Sequence, residues 1–378
     1  DGKSRSTYFT KLGDNPHNWV YVCNGGAIVG ALSVADEAPE LSSKIVSYAV
    51  KNWGKALRFL APDGVHYEGP MYNNWMLVSM TNAFSSLENT FGTSFGLMDM
   101  PGVTEFPYFN MSFISSDLPF NFGNSDSLMS NINSNGTFYI ASYANDIALG
   151  SLRSSVLMEH NLSIGVQDLI YAKPEFFMAE KEILNDAAYI SPNKYSIFTL
   201  RSSDAEKKIN LAAVGGTCNE FEQADSGSFI IDAFDTRFAC DMGKGVYEGE
   251  WFDKYKHRAE GHNVIVINPD QSPGFKTGTV ASLDNFASDN DEGFAIYDLS
   301  ANYKDYATSA KRGYYLFDNR SRIIVQDEIK CENPSEMYWF MHTGCEIEIS
   351  EDKKSAILKG DLKNMHLRID CNVDAEFS

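Results

Sequence analysis

The hydrophobic period of the chain changes once, near residues 185–196, and this change constrains the fold more than any other feature. Before it, apolar residues recur at i, i+3 and i+4, the spacing of one helix face. Ile45, Tyr48, Ala49, Trp53, Ala56, Leu57 and Leu60 form the clearest series, and Pro62-Asp63-Gly64 closes it. Residues 26–35 are small or apolar on all sides, the pattern of a buried helix. The spacing predicts a further helix over Trp75–Phe91 and shorter ones within residues 125–151 and 154–171. After the change come short alternating segments, from Ile197–Leu200 to His366–Ile369, at the interval of an antiparallel sandwich. Ser191-Pro192-Asn193 supplies the break. Two domains are therefore expected, a helical one over residues 1–190 and an antiparallel β one over residues 191–378.

Charge removes several function classes. Lys plus Arg is 31 and Asp plus Glu is 51, a net charge of −20. Nucleic acids and anionic membranes need a basic face, so neither is an expected partner. No apolar run reaches the ~18 residues of a membrane span. The chain opens on polar DGKSRSTYFTKLGD, in which no signal peptide is visible. Cysteines 23, 218, 240, 331, 345 and 371 form no C-x-x-C pair and suit free thiols better than a disulfide framework. The phosphate-loop, dinucleotide, serine-elbow and H-E-x-x-H motifs are all absent. Abundant aromatics (25 Phe, 19 Tyr, 5 Trp) are compatible with surfaces that stack on sugars.

Three stretches concentrate chemistry. The first is His17-Asn18-Trp19…Cys23-Asn24-Gly25-Gly26, where amides and a histidine crowd the start of an apolar helix. Helix capping by Asn24, with the glycines allowing close packing, is the bland alternative. The second is the turn-rich loop from Ala61 to Trp75, in which His66, Glu68, Asn73 and Trp75 surround Tyr72. A lone tyrosine there would be a packing residue. The third is Tyr255-Lys256-His257-Arg258-Ala259-Glu260-Gly261-His262-Asn263, directly before an apolar strand, with a solvated loop as the alternative. His342 ends another strand, and Asp284, Asp298 and Arg312 lie between without specific spacing.

Taken in order, these motifs resemble those of the heparinase II/III-like polysaccharide lyases. The matching segments are His17-Asn18-Trp19…Cys23-Asn24-Gly25-Gly26, Pro62-Asp63-Gly64…Glu68-Gly69-Pro70-Met71-Tyr72 and Phe120-Asn121-Phe122-Gly123-Asn124. In the second half they are Asp241-Met242-Gly243…Tyr247, Arg258…His262-Asn263 with its apolar strand, Gln326-Asp327-Glu328 and Trp339…His342-Thr343. The resemblance implies an α/α toroid-type helical domain followed by an antiparallel β-sandwich. Residues 1–185 are too few for a complete toroid. The implied activity is β-elimination at a 4-linked uronic acid. In it Tyr72 is base and acid, Asn18 neutralises the carboxylate, and His262 or His257 assists. His17, Asn24, Glu68, Trp75, Arg258 and Arg312 are implied substrate-binding residues, and Lys254, Lys256 and His257 would join Arg258 and Arg312 in a local basic groove. No cofactor is required, but relatives hold a structural zinc, for which His262 and His342 are candidate ligands. The implied partner is an anionic uronic-acid polysaccharide, and the implied place is the periplasm or the medium. A uronyl C5-epimerase and a non-catalytic glycan-binding protein on the same scaffold are the alternatives.

Overall fold

A computed structural model describes residues 16–115, 120, 122, 135–159, 161–180, 184–191, 195–202, 207–216, 223–241, 249–256, 258–269 and 279–378. The chain divides into two compact units. One comprises residues 1–114, 129–185 and 189–195, the other residues 115–128, 186–188 and 196–378. The expected single cut near residue 190 is thus too simple. Ser115, Phe120 and Phe122 lie before it yet belong to the β unit, where Ser115 Oγ accepts a hydrogen bond from Asn210 Nδ2.

Among its described residues the helical unit holds α1 (Asn18–Ser33), α2 (Pro39–Ala56), α3 (Gly69–Phe91), α4 (Phe106–Ser112), α5 (Thr137–Ala144), α6 (Ile147–Glu159), α7 (Val166–Tyr171) and α8 (Pro174–Met178). α1 starts eight residues before the stretch that the sequence marks as helical. Its buried residues Asn18, Val20, Tyr21, Asn24, Gly25, Ile28 and Ala31 fall on one side, while Trp19 and Val29 are exposed. It is therefore a one-faced helix, not one buried all round. α3 also begins earlier than expected, because Gly69-Pro70 opens it. Proline fits the first helical turn, where its missing N–H is not needed.

These helices share a core around Trp53, Phe84, Phe106 and Phe138. A fully buried Trp53 is worth about 3–5 kcal/mol against alanine. Gly25 lets α1 and α3 approach, since a Cβ there would stand 2.8 Å from the Ser79 carbonyl oxygen. Buried Arg153 is neutralised by Asp168 at 3.0 Å.

The β unit is antiparallel in every pairing given for its strands. β1 (Ala187–Ile190), β2 (Ser196–Arg201), β3 (Asn210–Val214), β4 (Phe229–Ala233) and β5 (Thr236–Ala239) lie in sequence order in one sheet. β7 (Ser282–Ser288), β8 (Gly293–Asp298), β9 (Ala307–Phe317) and β10 (Arg322–Cys331) form a second. β6 (Ile265–Ile267) pairs with β11 (Met337–Trp339), and β12 (Glu346–Ile349), β13 (Ser355–Lys359) and β14 (Asn364–Arg368) form a three-stranded sheet. One core cluster, including Phe198, Phe229, Tyr297 and Tyr314, draws on both larger sheets. Among the described residues, cysteines 23, 240, 331, 345 and 371 are free thiols.

Candidate active site

In the helical unit, the starts of α1 and α3 come together. Glu68, the residue before α3, accepts the Asn18 backbone N–H at 2.6 Å through Oε2 and the Asn18 side-chain amide at 2.9 Å through Oε1. Asn18 is the first residue of α1, so Glu68 satisfies one of the backbone donors that a helix start leaves open. With Gly25 of α1 against Ser79 of α3 further along, the two helices run in the same direction. Their positive ends therefore converge on one place, which favours negative charge there.

His66 is fixed from both sides. Its Nε2 donates to the Pro16 carbonyl at 2.9 Å, and its Nδ1 accepts the Glu68 N–H at 3.4 Å. A carbonyl only accepts, so the ring is the neutral Nε2–H tautomer. Burial, with the neighbouring charge of His17, lowers its pKa to about 4 despite the opposing bond to Pro16. Tyr21 packs edge-on against His66 at 5.7 Å, and burial followed by the Glu68 charge pushes its phenol upward. Tyr72 lies in the first turn of α3, not before the helix as the sequence suggests, and is 7% exposed. Its ring is 6.5 Å from that of Trp75, which is 53% exposed. His17 is the N-cap of α1, with Nδ1 accepting the Trp19 N–H at 3.3 Å. That removes the capping reading of Asn24, which sits inside α1 and donates back to the Val20 carbonyl at 2.7 Å.

In the β unit, His262 is fully buried, and its Nδ1 meets Asp241 Oδ2 at 2.9 Å. Burial works to lower its pKa, but the charge and hydrogen bond of Asp241, with the more distant Asp225, raise it overall. Its Nε2 has no hydrogen-bond partner among the described residues. The carboxylate orients the ring, which is enclosed as fully as Arg312. Asp241 is the member whose role the sequence hides, since 21 residues separate it from His262. His257 lies outside the described residues.

Asn263 proves to be structural. Its Nδ2 donates to the Phe229 and Cys240 carbonyls at 2.7 and 3.0 Å, and its Oδ1 accepts the His342 backbone N–H at 2.7 Å. The same oxygen faces His342 Nδ1 at 3.1 Å, so that nitrogen donates and Nε2 accepts the Tyr255 hydroxyl at 2.9 Å. Both ring nitrogens of His342 are engaged. Among the described residues no group of three His, Cys, Asp or Glu side chains is placed to hold a metal ion. His262 and His342 as described thus do not fit the expected zinc.

The expected basic groove also changes. Arg312 is 1% exposed and grips Asp327 at 2.7 and 2.9 Å, while its Nη1 donates to the Gly227 and Asn263 carbonyls. It is a strut between strands and is not presented to a polysaccharide. Lys256 is fully buried. Lys254 and Arg258 reach solvent, paired with Glu250 at 2.7 Å and Glu260 at 3.0 Å.

Comparison with known proteins finds a family match in the β unit and fold likeness over most of the chain. Residues 207–374 match the family described as heparinase II/III-like, C-terminal. No curated protein matches the sequence. Among solved structures, a heparinase III superposes with a TM-score of 0.72 at 13% identity, covering 97% of this chain and 55% of that one. A heparan sulfate lyase from Pedobacter heparinus superposes with a TM-score of 0.66 at 15% identity, covering 96% and 53%. The chain spans about half the length of these proteins. At such identities the likeness is one of fold, and it runs through both the helical and the β residues. Residues 207–374 thus resemble the heparinase II/III-like C-terminal domain, and the rest of the chain shares the fold of these lyases.

Proposed function

We propose that this protein is a polysaccharide lyase that cleaves a 4-linked uronic acid by β-elimination. The observation that carries the reading is the cluster at the paired starts of α1 and α3, where Asn18, Glu68 and His66 are locked together in the same element starts as Tyr72. The C5 hydrogen of a uronate is barely acidic while the carboxylate beside it keeps full charge. As it leaves, negative charge moves onto that carboxylate, and donors already in place lower the barrier. Asn18 supplies such a donor through its second amide hydrogen, and the converging helix ends add positive potential. Glu68 holds the amide in position and thereby orients the donor.

Tyr72 removes the C5 proton. A free phenol ionises near ~10, so its work at neutral pH requires a neighbouring positive potential. The electron pair forms the C4–C5 double bond, the C4–O bond breaks, and the departing oxygen takes a proton from Tyr72. A histidine of the β unit assists. The Asp241 dyad and the disengaged Nε2 support His262 in that role. Trp75 offers an exposed face for an adjoining sugar, and His17 and Arg258 offer polar contacts. The toroid and sandwich form of the two units, and a periplasmic or secreted location where such polymers occur, belong to the same proposal. No described helix is long and apolar enough to cross a membrane.

The test is a screen of heparan sulfate, chondroitin sulfate, hyaluronan and alginate for the ultraviolet absorbance of an unsaturated uronate. Absorbance growing with time on at least one polymer is expected. Hydrogen exchange at C5 without absorbance would replace the lyase with an epimerase. Binding without either change would make the protein a glycan-binding one.

A further inference from the structure

The β unit carries an aromatic surface that the elimination chemistry does not use. Trp251 is 50% exposed, and its ring lies 4.9 Å from that of Tyr255 at an interplanar angle of 31°. Tyr255 is one helical turn further on, in the π-helical segment Phe252–Lys256. It is anchored from beneath, its hydroxyl bonded to His342 Nε2 at 2.9 Å and its ring edge-on to the His342 ring at 6.1 Å. His342 is in turn held by Asn263, whose other bonds run to buried backbone. A large apolar face is thus presented to solvent on a rigid support. Rigid aromatics bind with little loss of side-chain entropy, since few torsions remain to be frozen. Lys254 lies on the same turn and Arg258 three residues beyond Tyr255, so two cations stand close in sequence to this face in a chain of net charge −20. Lys254 is paired with exposed Glu250, a pair worth little, and Arg258 with the partly buried Glu260, for which a ligand's carboxylate would compete.

We propose that Trp251, Tyr255 and Arg258 form a sugar-binding surface that stacks one pyranose of an acidic polysaccharide and pairs its carboxylate or sulfate. The apolar C–H face of the ring would lie on Trp251, and Arg258 would take the acidic group, in bidentate form where the geometry allows. The identity of the ligand rests on the proposed function, but the surface itself is independent of Tyr72 and Asn18.

Affinity electrophoresis of the folded full chain, through gels containing heparan sulfate or a neutral glucan, separates the two ideas. The parent should be retarded by the acidic polymer only. Trp251→Ala should weaken that retardation about tenfold, the effect of losing one well-packed aromatic contact, while Trp251→Phe keeps most of it. Arg258→Gln should weaken binding and reduce its dependence on salt. A Trp251→Ala protein with parental melting temperature and parental retardation would reject this surface, and the uronan reading would survive if the parent still forms unsaturated product. A parent retarded by none of the acidic polymers, and forming no product, would remove the uronan reading and this surface together.

Discussion

At the scale of the residue, Tyr72 is the most exposed point of the account. Tyr72→Phe removes one hydroxyl, so the melting temperature should move little. Turnover of a confirmed substrate should fall by at least ~10²-fold, the lower range for loss of a general acid or base. A variant that melts normally and keeps near-parental turnover would move the base elsewhere, with His262 next to test. Glu68 offers a different readout. Glu68→Ala leaves the Asn18 N–H and amide without their acceptor, and should destabilise the fold by about 1–3 kcal/mol. His66 predicts a dependence on pH. Its folded pKa is lowered from 6.5 to about 4, so between those values the unfolded chain binds more protons than the folded one. Its contribution to stability is therefore complete above about pH 6.5, falls as pH drops through that window, and is gone below about 4. Fully expressed, the shift corresponds to about 3 kcal/mol. Thermal melts of the parent and His66→Gln should accordingly converge on acidification from pH 7 to 4, and parallel curves would contradict the buried neutral imidazole.

At the scale of the element, the adjacent glycines of α1 make a paired test. A Cβ on Gly25 meets the Ser79 carbonyl at 2.8 Å and Trp53 at 3.1 Å, whereas one on Gly26 meets nothing. Gly25→Ala should cost about 1–3 kcal/mol by overpacking, and Gly26→Ala should be neutral or stabilise by up to about 1 kcal/mol. Denaturant midpoints of the two variants decide it. The sequence leads to Gly25 as a close-packing residue but misplaces the helix around it. α1 begins at His17 because the histidine caps it, a role outside the usual Ser, Thr, Asp and Asn set. The strands with alternating or apolar runs were readable from period alone. β1 and β7 were not: Ala187–Ile190 is only four residues and falls in the stretch assigned to the helical domain, and Ser282–Ser288 is mostly polar and exposed except at Leu283 and Phe286. The short helix α4 was hidden in the same way, since Phe106–Ser112 is under two turns and too short to show a period. For the site, the local motifs placed Asn18, Glu68 and Tyr72 within two segments, but which atoms meet depends on folding. The dyad of Asp241 with His262 and the burial of Arg312 are tertiary facts that no spacing encodes.

At the scale of the whole molecule, a chain of net charge −20 is asked to hold a polyanion. Long-range repulsion must then be overcome by local cations, aromatic contact and the helix ends. Weakly sulfated or unsulfated uronans should be turned over with higher kcat/KM than heparin. Raising ionic strength toward ~0.15 M should help the more sulfated polymers most, because it screens repulsion between charges beyond about 8 Å. A uniform fall in kcat/KM with salt, steepest for the most sulfated polymer, would instead show that attraction controls encounter. The central claim concerns which bond changes, and proton NMR of the products formed in deuterium oxide addresses it directly. The account predicts a new non-reducing end that bears a C4–C5 double bond, with an alkene signal at H4 and no hydrogen at C5. Cleaved chains whose new ends are saturated uronates, or intact chains labelled with deuterium at C5, would contradict it.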